Sequence, residues 1–274
     1  MSAIDRNRFP EPGAIRPFEF PPVARRRLSN GLDLRVARMT RLPVVSLNLY
    51  VDAGESALDT ARAGLAVLTG DALEGGTAHH SGVELAEALE GIGATLGVGT
   101  GWEGTSVSLT CLADRIDEAL RLLAEAALEP SFPAEEVERA RDQQLAEIRR
   151  RRMDPGTLAG DEAARRYYRE ESPYARPLGG TERSVAPVGR ESVRGFAEAF
   201  YRPVHGGLVV TGDVDIGEVE SLAEECFAGW EGAPPPLREI SVEPRTRERR
   251  QWVVDRPDAV QSEVRIGHVG AARS

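Results

Sequence analysis

Two hydrophobic periods succeed one another along the chain, and their order constrains the fold more than any composition does. Leu32, Leu34 and Val36 follow an Asn30-Gly31 turn at two-residue spacing, and Val45, Leu47, Leu49 and Val51 repeat the pattern within 44–52. Such alternation marks strands buried on one face. Two strands joined by a short polar link imply an antiparallel start. Helical spacing takes over at 60–73, where Leu65, Leu68 and Ala72 precede a Gly75-Gly76 stop signal. Ser81 and Glu84 have capping-box spacing for a helix to about Leu89, which Gly91 and Gly93 close. Segments 94–100 and 104–112 read as paired strands around Gly101-Trp102-Glu103. Helices are expected at 113–127, 134–152, 156–169 and 190–201. A buried strand at 207–214 and a helix at 216–230, capped by Asp215, follow. This mixture predicts an α+β fold, a predominantly antiparallel sheet covered on one side by helices that include 60–73 and 134–152.

With 274 residues the chain is long for one average domain and short for two. The expected division is an N-terminal arm (1–27), a first domain (28–230), a Pro-rich charged linker (231–250) and a segment with renewed strand patterns (251–274). The arm has no apolar stretch of the kind a signal peptide carries. No run approaches the ~18 apolar residues of a spanning helix. A net charge of −10 argues against a phosphate-tracking nucleic-acid surface. No membrane span, no nucleic-acid partner and a cytoplasmic location are therefore expected. Every basic residue apart from histidine is Arg and none is Lys, a compositional bias to which no mechanism is attached. Cys111 and Cys226 are too few for a disulfide framework and are expected as reduced thiols.

Candidate chemistry is sparse by residue type alone. His79 and His80 are adjacent, so their side chains diverge, and loop histidines after a Gly-Gly turn are the favoured reading. His205 and His268 are expected to be structural or exposed. The glycines of 91–101 lead into strand residues rather than a phosphate-binding helix start. The acidic turn TGDVD (211–215) fits a strand-to-helix cap, and Arg149–Arg152 fits a solvated helix end. No G-x-S-x-G elbow is present, and neither Cys has a neighbouring His in sequence.

Segment order nevertheless resembles the pitrilysin/insulinase family of zinc peptidases, whose signature is an inverted H-x-x-E-H. The resemblance runs through LSNGLDLRV (28–36), VDAGES (51–56), GLAVLTGDALEGGT (64–77), ERARDQQLAEIRRRRMDP (138–155), SPYARPLGGTERSV (172–185), YRPVHGGLVVTGDVD (201–215) and VVDRPDAVQSEVRIGHVG (253–270). In active members the fourth-mentioned helix supplies a Glu ligand, and the third segment carries two His ligands with a Glu general base.

The resemblance implies Val67 and Asp71 at the two His positions, Gly70 at the base and Glu147 at the third ligand, with Ala140 at a supporting acidic position. Val67 has no lone pair and Gly70 no side chain. The implied chain has no zinc of its own, no catalytic residue and no cofactor site, with Glu147 unused and facing Val67, Gly70 and Asp71 across an empty site. By analogy with mitochondrial processing peptidase, it pairs with a zinc-bearing homologous subunit and helps enclose a peptide substrate. Two alternatives stand beside this: a scaffold that reuses the peptidase fold, as in the bc1 core subunits, and an active enzyme with displaced ligands such as His79 and His80. The resemblance also implies that 251–274 opens a second homologous domain whose remainder is absent, leaving Val264 and Ile266 unburied.

Overall fold

The computed structural model describes residues 19–236 without a break and, outside them, residues 9, 13, 14, 17, 240, 244–246, 248–257, 259–268 and 270. Its strands are β1 (Val23–Arg27), β2 (Asp33–Arg38), β3 (Val44–Val51), β4 (Leu96–Thr100), β5 (Thr105–Leu112) and β6 (Gly207–Gly212). They form one six-stranded sheet in the order β1-β2-β6-β3-β5-β4. All neighbours are antiparallel except β2 and β6. The fold is thus α+β with a mostly antiparallel sheet, as the periodicities predict.

Strand alternation builds the core. Val45, Leu47, Leu49 and Val51 of β3 are fully buried, beside Leu34 and Val36 of β2, Leu208 and Val210 of β6, and Val107 and Leu109 of β5. Onto this face pack α1 (Leu65–Asp71), which touches β4, α3 (Ile116–Leu128), which touches β5, and α8 (Ile216–Phe227), which touches β2. The remaining helices are α2 (Gly82–Gly91), α4 (Ala134–Met153), α5 (Pro155–Tyr167), α6 (Glu182–Val185) and α7 (Arg190–Phe200). Against α1 lie α4 and α7.

Local signals held where the chemistry is local. Ser81 Oγ accepts from the Glu84 N–H at 3.3 Å while Glu84 Oε2 accepts from the Ser81 N–H at 2.8 Å. Ser81→Ala is expected to cost about 1 kcal/mol, read as a lowered urea midpoint at unchanged slope. Asp215 caps α8 by accepting from the N–H groups of Gly217 and Glu218.

Non-local features departed from expectation. β2 and β3 are not paired, because β6 lies between them and bonds to both. The link at 39–43 is long enough to span that gap, and Leu208 and Val210 continue the buried rows of both strands. The helix expected over 60–73 is divided: a 3-10 turn at Thr60–Arg62, then α1, then a 3-10 turn at Ala72–Gly75. Gly64, at φ +91°, turns the backbone left-handed just before α1 and prevents one continuous helix. Strand β1 lies in what reads as polar arm. It is an edge strand held through backbone pairing, with arginines rather than apolar alternation outward. The stretch 172–185, read as loop, contains a 3-10 turn (Pro173–Ala175) and α6. No strand forms among the described residues of 251–270; Val264 and Ile266 are 69% and 95% exposed there. Most of the N-terminal arm lies outside the described residues.

Candidate functional site

Helix α1 carries three of the four metal-ligand and base positions that the resemblance implies, and its placement depends on a carboxylate that was not among them. Glu55 is fully buried. Its Oε2 accepts from the Gly64 N–H at 3.0 Å, and its Oε1 from the Ala66 and Val67 N–H groups at 2.9 and 3.4 Å. These are the donors that a helix start leaves without intrahelical partners, and a carboxylate there also complements the helix dipole. Arg176 approaches from the turn at Pro173–Ala175. Its guanidinium lies 3.6 Å from Glu55 Oε2 and donates to the carbonyls of Glu55 and Leu58. Burial pushes the Glu55 carboxyl up despite its N–H donors and Arg176, and burial pushes Arg176 down despite Glu55. Both shifts run toward neutrality, so desolvation outweighs attraction in this pair.

Two further contacts hold the entry to α1. Gln144 of α4, buried, donates from Nε2 to the carbonyls of Gly64 and Gly179, each at 2.9 Å. Gly180, at φ +73°, packs so closely on Ala63 and Gly64 that a Cβ there would collide with the Ala63 carbonyl. The start of α1 is thus clamped by Glu55, Arg176, Gln144 and Gly180. Sequence reasoning missed this clamp. The only signal was an acidic residue in VDAGES ahead of the helix, and its burial is a tertiary property.

Within α1, Val67 is half-buried, Gly70 buried and Asp71 solvent-accessible. Gly70 sits against β4, where a Cβ would run into Thr100 Oγ1. That hydroxyl hydrogen-bonds Thr105 Oγ1 at 3.0 Å, and Thr105 in turn donates to the Ala53 carbonyl at 2.9 Å. Partial burial, then the charge of Glu74, pushes the Asp71 carboxyl up. On α4, Ala140 is buried. Glu147 is exposed, and both of its oxygens accept from Arg150, at 2.6 and 2.7 Å. This hydrogen bonding holds its carboxyl below the usual range. α1 and α4 are packed together, yet the carboxylate of Glu147 is engaged with its own helix. Among the described residues no group of three or more His, Cys, Asp and Glu side chains could hold a metal ion.

The histidines lie elsewhere. His80 Nδ1 is 2.8 Å from Glu125 Oε1, and His79 Nε2 is 2.8 Å from Glu129 Oε2, both on or next to α3. They are loop residues, as expected, but each is paired with a carboxylate rather than simply solvated, and neither approaches Glu147 through a hydrogen bond. His205 is largely exposed, with Nδ1 3.8 Å from Asp52. The arginines that close α4 are engaged as a solvated helix end: Arg149 and Arg152 with Glu182, and Arg151 with Asp161. Cys111 and Cys226 are free thiols that burial pushes up to about 11, so neither is an activated nucleophile. Among the described residues no helix is long and apolar enough to cross a membrane.

A sheet covered by helices on one face, with α1 laid between β4 and α4, is the framework of a known peptidase family. The family model described as insulinase (peptidase family M16) matches residues 36–182, and that described as peptidase M16 inactive domain matches 187–273. The chain belongs to the insulinase, or M16, peptidase family. The second match begins before α7, although α7, β6 and α8 complete the same sheet and core as the first. Among curated proteins, the chain is 28% identical over 218 residues to an uncharacterized zinc protease of Mycobacterium leprae, covering 78% of this chain and 49% of that one. It is 28% identical over 160 residues to a non-peptidase homolog of Helicobacter pylori, covering 58% and 37%. A crystal structure titled as the peptidase M16 inactive domain from Pseudomonas fluorescens superposes with a TM-score of 0.75 at 28% identity, covering 80% of this chain and 54% of that one. The chain spans about half the length of the curated zinc-protease relatives it matches. Relatives of this chain therefore include proteins named as zinc proteases and one named as a non-peptidase.

Proposed function

We propose that this chain is a non-catalytic subunit of a heterodimeric zinc peptidase of the insulinase family, which pairs with a zinc-bearing homologous subunit and helps enclose peptide substrates. One observation carries the reading: at the positions where active members hold metal and base, this chain presents Val67, Gly70 and Asp71, and the carboxylate at the third ligand position, Glu147, is engaged by Arg150. Zinc takes three or four N, S or O donors at about 2.0–2.3 Å. A valine, a glycine and one free aspartate do not provide that set, so zinc does not fit these residues and no hydrolytic step is routed through them. The non-peptidase name of the Helicobacter relative supports the same reading.

What remains for this chain is binding and shape. The clamp of Glu55, Arg176, Gln144 and Gly180 keeps α1 seated between β4 and α4 without a metal to tie the helices together. The test is reconstitution. Peptidase activity on an unstructured peptide is expected only when the chain is mixed with a homologous subunit that carries an intact H-x-x-E-H. Chelator-sensitive activity from the isolated chain would sink the proposal.

A further inference from the structure

The described residues between 244 and 268 form no helix or strand of their own, but they bind α5 at both of its ends. At the C-terminal end Pro244 bridges Tyr168, the Arg245 N–H donates to the Tyr167 carbonyl at 2.8 Å, and the Arg245 guanidinium donates to the Arg165 carbonyl at 3.3 Å. At the N-terminal end Arg265 donates to the Gly156 carbonyl at 3.0 Å. Arg256 reaches the carbonyl of Met153, the last residue of α4, also at 3.0 Å. The carbonyls of Met153, Arg165 and Tyr167 lie in the last turns of their helices, where no intrahelical donor is left for them. A guanidinium there also complements the negative end of the helix dipole. One segment thus supplies C-terminal caps to two helices.

The union is almost entirely polar. No residue of α5 is fully buried. On the segment Trp252, Val253, Val254, Val260, Val264 and Ile266 stay 42–99% exposed, although Trp252 has the Arg166 guanidinium over its ring at 5.9 Å. Little apolar area leaves water between segment and helix, and elements of that kind open at the low end of a protein's local stabilities. The two-residue spacing of Val264 and Ile266 also suits a strand, so the segment has apolar groups to bury once it leaves α5.

We propose that this segment is a releasable strap, and that strap and α5 open together as one cooperative unit while the sheet stays folded. The opening reaches the candidate site through α4. Arg151 donates to Asp161 of α5 at 2.9 Å. When α5 departs, Asp161 goes with it and Arg151 is left without that carboxylate, one helical turn from Glu147. The strap therefore sets the charge beside the third ligand position. This coupling holds whether or not the chain works with a catalytic partner.

The test is native-state amide hydrogen exchange on the full chain at low urea concentrations. Amides of α5 and of the strap are expected to share one opening with a common urea dependence, distinct from that of β3 and β6. Arg245→Met and Arg256→Met are each expected to speed exchange in α5 and the last turn of α4 by about tenfold, with β3 and β6 unchanged. Arg250→Met, which removes a bond to Glu248 within the segment, is the control and should leave α5 as it was. Exchange of α5 only through global unfolding, exchange residue by residue with no shared opening, or α5 rates indifferent to both variants overturns the proposal. Equal acceleration in β3 and β6 also overturns it, because the segment is then part of the global core.

Discussion

Glu55→Ala is expected to destabilise the protein by about 3–5 kcal/mol, the usual result of removing one partner from a buried ion pair. The carboxylate is fully buried, so its removal leaves Arg176 charged without its counterion and the N–H groups of Gly64, Ala66 and Val67 without an acceptor. Glu55→Gln, which keeps an acceptor oxygen, should lose less. The pH dependence has a defined sign. Because burial raises the folded-state pKa of Glu55 above its unfolded value, the contribution of its protonation is complete below the unfolded pKa of about 4.3 and is lost as pH rises through the folded pKa. The stability difference between wild type and Glu55→Gln should therefore favour wild type more at the acid end of that window than at neutral pH. Urea denaturation of both proteins across the window measures it; a difference that grows with rising pH would refute the assigned direction.

Gly180→Ala is the second large effect. Its φ of +73° disfavours a side chain by about 1–2 kcal/mol, and the added Cβ would meet the backbone of Ala63 and Gly64 rather than a movable side chain. Overpacking of that kind adds about 1–3 kcal/mol, for a total near 3 kcal/mol. The damage should be local to the entry of α1, where Gln144 bridges Gly64 and Gly179. Faster amide exchange in α1 than in β3 on substitution is the expected signature. An unchanged melting temperature would show that the turn relaxes freely and that the clamp is not rigid.

Much of the framework was legible because its signals are local. The fully buried row of β3, the β4–β5 pair, the Ser81–Glu84 box and the Asp215 cap each depend on a few consecutive residues. The insertion of β6 between β2 and β3 was not legible, since strand order rests on contacts between distant segments. Nor was β1, whose VARRR sequence reads as a charged tail and becomes a strand through backbone pairing with β2. At the candidate site, the residue types at 67, 70, 71 and 147 were readable once the resemblance located them. The capture of Glu147 by Arg150, three residues on, followed a helix spacing visible in sequence. Glu55 was invisible because nothing in VDAGES distinguishes a buried helix-capping carboxylate from a surface one.

On the proposed reading, α1 and α4 are held together by a protein clamp in place of a metal. Its most direct test is the zinc content of the purified chain, measured by atomic emission after equilibration with zinc and removal of unbound metal. The account predicts far less than one zinc per chain and a melting temperature unchanged by chelator. One tightly held zinc per chain, with melting lowered on its removal, would contradict it.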